Sequence, residues 1–442
     1  MSHVPYADTP IHAETVFNAI HEAGIPSMAK AGVRELVSLV NKIEQCTGDH
    51  YIRMEMGVPG LPAPEIGIAA EAEALRNGVG SKYPMIEGVP SLKQEISRFC
   101  KQFLNLEVSP ETCFPTVGAA QGALAMFLVG NRIREQGGTL FIDPGFPNQK
   151  RQLAMINQKW GSFDVYNYRG EALRNALEEH LSTGQYTTLL YSNPNNPAWI
   201  CFDHQELQII AEVTKKYDVI VIEDLAYFGM DYRSDYSIPG QAPYQPSIAH
   251  YTDQYALLIS SSKVFSYAGQ RIGSMVISEA LFKRSFPTLK ATLGNEQFGK
   301  AMVFGALHGL SSGVTHSTQY GLAAMLKAAN DGTLPFLNMT QVYEARAAKM
   351  KQLFVEHGFK IVYDNDNGEP LSDGFYFTFA YPNMGGDELL TALLYHGISA
   401  ISLANTGSEQ IHGARACVSQ VRDEQLADLE YRLAAFQKQF PR

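Results

Sequence analysis

The spacing of apolar and polar positions changes character along the chain. Val33, Leu36, Val37, Val40 and Ile43 recur at helical spacing and predict an amphipathic helix from Val33 to Ile43. Met54 to Pro64 is dense in Gly and Pro and predicts an extended loop. Leu92, Ile96, Phe99 and Phe103 predict a helix from Ser91 to Phe103, with Ser91 as its N-cap. From Cys113 onward, short apolar or β-branched runs alternate with amphipathic stretches. Strands are predicted at Cys113–Val117, Gly138–Ile142, Thr187–Tyr191, Val219–Ile222 and Ala256–Ile259, and helices from Gly118 to about Glu135, after Asn148 and from Asp203 to Tyr217. Such alternation predicts an α/β fold with a mainly parallel sheet covered by helices on both faces.

Beyond about residue 285 the pattern becomes one of Gly-punctuated helices, including Gly305 to Leu310, with a long helix from Gln341 to His357. The last hundred residues hold strand-like Gly374–Ala380, a helix at Asp387–Tyr395 and strand-like Ala400–Leu403 and Ala416–Val418. They predict a smaller α/β domain that takes in the N-terminus. The expected division is a large domain at 51–325 and a small one made of 1–50 and 326–442.

Composition narrows the function classes. A chain of 442 residues, 45% hydrophobic, can bury a large core. Its net charge of −10, with 35 Lys plus Arg, argues against a nucleic-acid partner, because phosphate backbones demand a basic face. Five cysteines without Cys-x-x-Cys spacing indicate neither a disulfide framework nor a zinc knuckle, so a reducing cytoplasm is expected. Met1 to Pro10 lacks a basic region followed by an apolar stretch, and no long uninterrupted apolar run occurs, so no membrane role is expected. The histidines are scattered without the spacing of a metal helix. Gly-x-Gly-x-x-Gly and the phosphate-loop motif are both missing.

Candidate chemistry gathers at the predicted strand ends, where open α/β sheets collect ligands. Ser260 to Gly273 follows an apolar run and holds Lys263 and Arg271 among serines and glycines. Hydroxyls, amides and a guanidinium fork suit a phosphate, and a lysine among cations and apolar walls loses its proton readily and can attack a carbonyl. Alone, the segment reads more readily as a solvated turn. Gly118-Ala119-Ala120 opens a helix directly after a strand, which suits an anion, although close helix-to-sheet packing by small residues is the alternative. Asp143–Asn148, Ser192–Pro197 and Glu223–Tyr227 follow three further strands.

Taken in order, Tyr83, Gly118-Ala119-Ala120, Phe146, Asn196, Asp224-x-x-Tyr227, Ser260-x-x-Lys263, Arg271 and Arg415 resemble the fold type I pyridoxal-phosphate aminotransferases, the aspartate-aminotransferase-like superfamily. The resemblance runs from about residue 50 to 420. It implies a seven-stranded sheet and pyridoxal 5'-phosphate as cofactor. Lys263 would bond covalently to the cofactor's aldehyde, Asp224 would pair with its ring nitrogen, and Tyr227 and Asn196 would reach its ring hydroxyl. Phe146 would lie on the ring. Ser260, Ser262, Arg271 and the backbone of Gly118, Ala119 and Ala120 would hold the phosphate, with Tyr83 reaching it from a second subunit of a homodimer with shared active sites. Substrate contacts are implied at Gly57, Asn196 and Arg415, with Arg415 clamping a carboxylate. The implied activity is amino transfer between an amino acid and a 2-oxo acid; a lyase acting on an amino acid through the same cofactor is the alternative.

Three positions depart from the family's usual pattern. Ala198-Trp199 stand where Thr-Gly is usual, which places a bulky ring where positive φ is expected. Phe146 stands where Tyr or Trp is commoner. Two alanines follow Gly118, so phosphate contacts there come from the backbone alone.

Overall fold

The computed structural model describes Tyr6 and residues 8–441. Most of the Met1 to Pro10 stretch discussed above therefore lies outside the described residues. Two compact units are present. One contains the described residues up to Gly60, a short excursion at Asn196–Trp199, and the residues from Gln341 onward; the other contains Leu61–Asn195 and Ile200–Thr340.

The larger unit is built on a seven-stranded sheet in the order Cys113–Thr116, Gly273–Ile277, Tyr255–Ser260, Ile220–Leu225, Thr188–Ser192, Thr139–Asp143, Trp160–Asp164. Only Gly273–Ile277 runs antiparallel to its neighbours. The Ile220–Leu225 and Tyr255–Ser260 strands are buried at every position, as strands covered on both faces must be. The helix Gly118–Gly130 packs with strand residues Phe141, Leu190, Ile222 and Leu258 and with Phe298 and Met302 in one apolar core.

Several predicted bounds shift. The helix expected from Ser91 begins at Pro90, whose fixed φ and missing N–H suit a first helical position, and Val89 is its N-cap. The helix expected to reach Glu135 ends at Gly130. The Trp160–Asp164 edge strand is an addition, half-exposed over its first three residues and so without an apolar run to announce it. Helix His316–Asn330 packs on Glu65–Arg76 and Pro90–Leu104, so the larger unit continues past 325 to Thr340. Gly67 permits that packing: a β-carbon there would stand 2.7 Å from Met325 Sδ.

The other unit carries a four-stranded antiparallel sheet in the order Ile401–Ser402, Ala414–Cys417, Tyr376–Ala380, Lys360–Ile361. Ile52–Arg53 pairs in parallel with Ile398–Ser399, which ties the early chain to the late chain. The amphipathic helix read at Val33 spans Val33–Thr47 and buries Leu36, Leu39, Val40 and Ile43. No helix among the described residues is long and apolar enough to cross a membrane.

Candidate active site

In the larger unit, the strand ends bring a carboxylate, a lysine and an anion cradle onto neighbouring elements. Asp224 is paired in register with Ser192 on one side and Leu258 on the other. Its side chain is buried, and Oδ2 accepts from Gln149 Nε2 at 2.9 Å while Oδ1 accepts from the Ala226 backbone N–H at 3.1 Å. Both donors are neutral. Burial therefore dominates and pushes the Asp224 pKa up to about 6, against the lowering effect of those hydrogen bonds. A buried acid of this kind gains most from a cationic partner such as a protonated ring nitrogen.

The next strand, Tyr255–Ser260, leads straight into Lys263. In the segment that alone reads as a solvated turn, residues Ser261–Val264 form one helical turn. Ser260 caps it, its hydroxyl accepting from the Ser262 N–H at 3.1 Å, and Ser261 Oγ donates to the Ile272 carbonyl at 2.6 Å. Lys263 is half-buried on this fixed turn, and Tyr227 is buried in the turn after the Asp224 strand.

The anion cradle is defined by what it excludes. Gly118 takes φ +65, and a β-carbon on it would stand 2.7 Å from Arg271 Nη2, so the guanidinium lies over the start of the Gly118–Gly130 helix. Arg271 has φ +52 and is anchored by Nη1 donating to the Ala268 carbonyl at 2.9 Å. A β-carbon at Gly273 would come within 3.2 Å of the Ala119 amide nitrogen. Helix-start amides beside a guanidinium form a site for a doubly charged phosphate. Phe146 caps the Pro147–Met155 helix and is 45% exposed, and Tyr83 is 93% exposed.

The remaining predicted residues, Gly57, Asn196 and Arg415, belong to the smaller unit. Arg415 is buried; Nη1 donates to Asn196 Oδ1 at 3.3 Å and Nη2 to the Glu55 carbonyl at 2.7 Å. Its buried Nε–H meets no acceptor among the described residues, which leaves a donor that could receive an anion. Glu55, just beyond the Ile52–Arg53 strand, is itself buried and accepts from Arg53 Nε at 2.7 Å and from Ser399 Oγ at 2.5 Å. Trp199 keeps the positive φ of the residue usual there, at +62, with its ring fully buried.

Three contacts were not legible beforehand. Gln149 lies 75 residues from Asp224, and a glutamine on a helix carries no local signal. Tyr376 covers Arg415, and Glu55 supplies its carbonyl; an aromatic in a strand reads as core, and a backbone acceptor has no residue-type signature.

A buried acid, a fixed lysine and an amide-guanidinium cradle at the ends of a mainly parallel sheet define the class of cofactor-dependent α/β enzymes that hold a phosphorylated aldehyde. The family model for aminotransferase class I and II matches residues 50–374. The chain belongs to that family, of pyridoxal-phosphate fold type I, and pyridoxal 5'-phosphate is its cofactor. A probable aspartate aminotransferase of Methanocaldococcus jannaschii is 24% identical over 250 residues, covering 56% of this chain and 62% of the relative. Nicotianamine aminotransferase 1 of Oryza sativa subsp. japonica is 30% identical over 224 residues, covering 48% of this chain and 44% of the relative. The aligned region thus spans about half of each curated relative. Among solved structures, a Thermus thermophilus aspartate aminotransferase double mutant superposes with a TM-score of 0.75 at 17% identity, over 95% of this chain and 98% of that one. An alanine aminotransferase from Pyrococcus furiosus superposes at 0.74 with 18% identity, over 93% and 98%.

Proposed function

We propose that the protein is an aminotransferase that moves an amino group between an amino acid and a 2-oxo acid. The observation that carries the reading is Asp224: a buried carboxylate raised to about 6, met by neutral donors, at a strand end beside the strand that delivers Lys263. In this reading Asp224 holds a proton on the cofactor's ring nitrogen, and Lys263 Nζ takes the proton from the substrate Cα and returns it at the far end of the transfer. The cofactor, when bound, would supply an electron sink for the bond broken at the substrate Cα. Tyr227 and Asn196 serve the ring hydroxyl, Phe146 the ring face, and Ser260, Ser262, Arg271 and the Gly118–Ala120 backbone the phosphate. Arg415 receives the substrate carboxylate through its Nε edge, and Gly57 lies in the same unit.

The exposure of Tyr83 and Met85, at 93% and 65%, supports a homodimer in which Tyr83 serves the partner's site. Five free cysteines support a reducing compartment such as the cytoplasm. No observation favours the lyase alternative. Incubating the cofactor-loaded protein with a panel of single amino acids, without an acceptor, tests the reading. Stoichiometric release of the matching 2-oxo acid is expected; release of ammonia on every turnover, or no 2-oxo acid from any amino acid, contradicts it.

A further inference from the structure

The surroundings of Arg415 contain an aromatic wedge that the amino-transfer reading leaves unused. Tyr376 lies over the guanidinium, its ring centroid 4.5 Å from Arg415 Cζ. Its hydroxyl end fills the space beside Gly57, where a β-carbon would stand 1.9 Å from the Tyr376 oxygen. Gly57 is thus explained by packing: any side chain there displaces Tyr376. On its other flank the Trp199 ring meets Tyr376 edge-on, centroids 6.0 Å apart at 73°.

Trp199 is in turn fixed from behind. A β-carbon at Gly374 would stand 2.2 Å from its indole nitrogen, so glycine at 374 makes room for the ring. A bulky residue in the left-handed region is strained and persists where its surroundings over-determine it. Here φ is +62 and the ring is 1% exposed. Trp199, Tyr376 and Arg415 thus form one buried run of contacts, with Gly374 making room for the indole and Gly57 for the tyrosine hydroxyl.

We infer that Tyr376 and Trp199 are positioning residues for the substrate carboxylate: Tyr376 closes one face of the Arg415 guanidinium and Trp199 holds Tyr376 there, so that the anion is received edge-on, in its plane. The inference rests on Arg415 being the carboxylate site. An aromatic face against a desolvated guanidinium adds cation–π attraction and removes the tilted approaches of a freely rotating fork. The planar edge that remains offers parallel N–H donors, which match a carboxylate better than a tetrahedral acid group.

The test uses the cofactor-loaded full chain and the variants Trp199→Gly, Trp199→Phe and Arg415→Leu, each checked for native circular dichroism. Trp199→Gly suits the left-handed backbone and removes the ring. Its KM for the amino acid rises about tenfold with kcat within about twofold, and Trp199→Phe recovers most of the loss. A Trp199→Gly variant with unchanged KM, or a Phe variant no better than Gly, overturns the inference. A second readout needs no turnover. With two tryptophans in the chain, Trp160→Phe leaves Trp199 as the single emitter. Titration with propionate then shifts its emission, and the shift is lost in Arg415→Leu; no shift at saturating propionate overturns the inference. If Arg415→Leu itself leaves KM unchanged, the carboxylate reading of Arg415 fails instead.

Discussion

Gln149 donates its side-chain amide to Asp224 at 2.9 Å, across 75 residues of sequence. Burial has raised the Asp224 pKa from 3.8 to about 6, so the folded protein without cofactor binds this proton more tightly than the unfolded chain does. Stability from this group is therefore fully present below about pH 4 and lost as pH rises through about 6, by about 3 kcal/mol for a shift of about two units. Asp224→Asn removes that penalty. The cofactor-free variant should unfold at a higher temperature, relative to wild type, at pH 8 than at pH 5. A stability difference that is the same at both pH values would contradict this. The loaded variant should lose turnover by about a hundredfold or more, because an amide cannot hold the ring proton as a carboxylate does.

Gln149 lowers the Asp224 pKa through its hydrogen bond, against the larger effect of burial. Gln149→Leu should therefore raise the Asp224 pKa of the cofactor-free protein further, so that the variant melts below wild type by more at pH 8 than at pH 5. Thermal unfolding of the cofactor-free protein at the two pH values checks this; a deficit that is the same at both would mean that Gln149 does not act on Asp224.

Gly118→Ala introduces a β-carbon 2.7 Å from Arg271 Nη2 on a residue with φ +65. The guanidinium must move or the helix start must unwind. The dissociation constant for pyridoxal phosphate, measured by titrating the cofactor-free protein, should rise roughly tenfold, with a loss of about 1 kcal/mol in stability. Cofactor affinity equal to wild type would place the phosphate elsewhere.

Lys263→Ala should still take up the cofactor through Arg271 and the helix-start amides while losing the absorption band of the covalent link. Its turnover should fall by about a thousandfold or more, since in the proposed mechanism the same amine carries the Cα proton. A spectrum unchanged from wild type would remove Lys263 from its role.

Much of the larger unit was legible because its physics is local. Strands such as Ile220–Leu225 are buried at every position and read as apolar runs, and the Val33–Thr47 helix shows its apolar face at helical spacing. Trp160–Asp164 was not legible, because an edge strand that is half-exposed over three residues needs no apolar run. That the larger unit runs past the expected 325 to Thr340 depends on how His316–Asn330 packs against Gly67, a tertiary fact. Within the site, charged and hydroxyl residues at strand ends could be picked out by type. What supports them could not: the glutamine under Asp224, the Glu55 carbonyl at Arg415, and Gly374, which accommodates Trp199 from far along the chain. At Trp199 the sequence sets a bulky ring against an expected positive φ, and the backbone keeps its left-handed turn, with a distant glycine vacating the space the ring fills.

The most direct test is to load the protein with pyridoxal phosphate, reduce it with borohydride and map the modified peptide by mass spectrometry. The reduced cofactor is expected on Lys263 alone, and in no peptide of Lys263→Ala. Modification spread over other lysines, or confined to a different one, would contradict the assignment of this amine as the residue on which the chemistry turns.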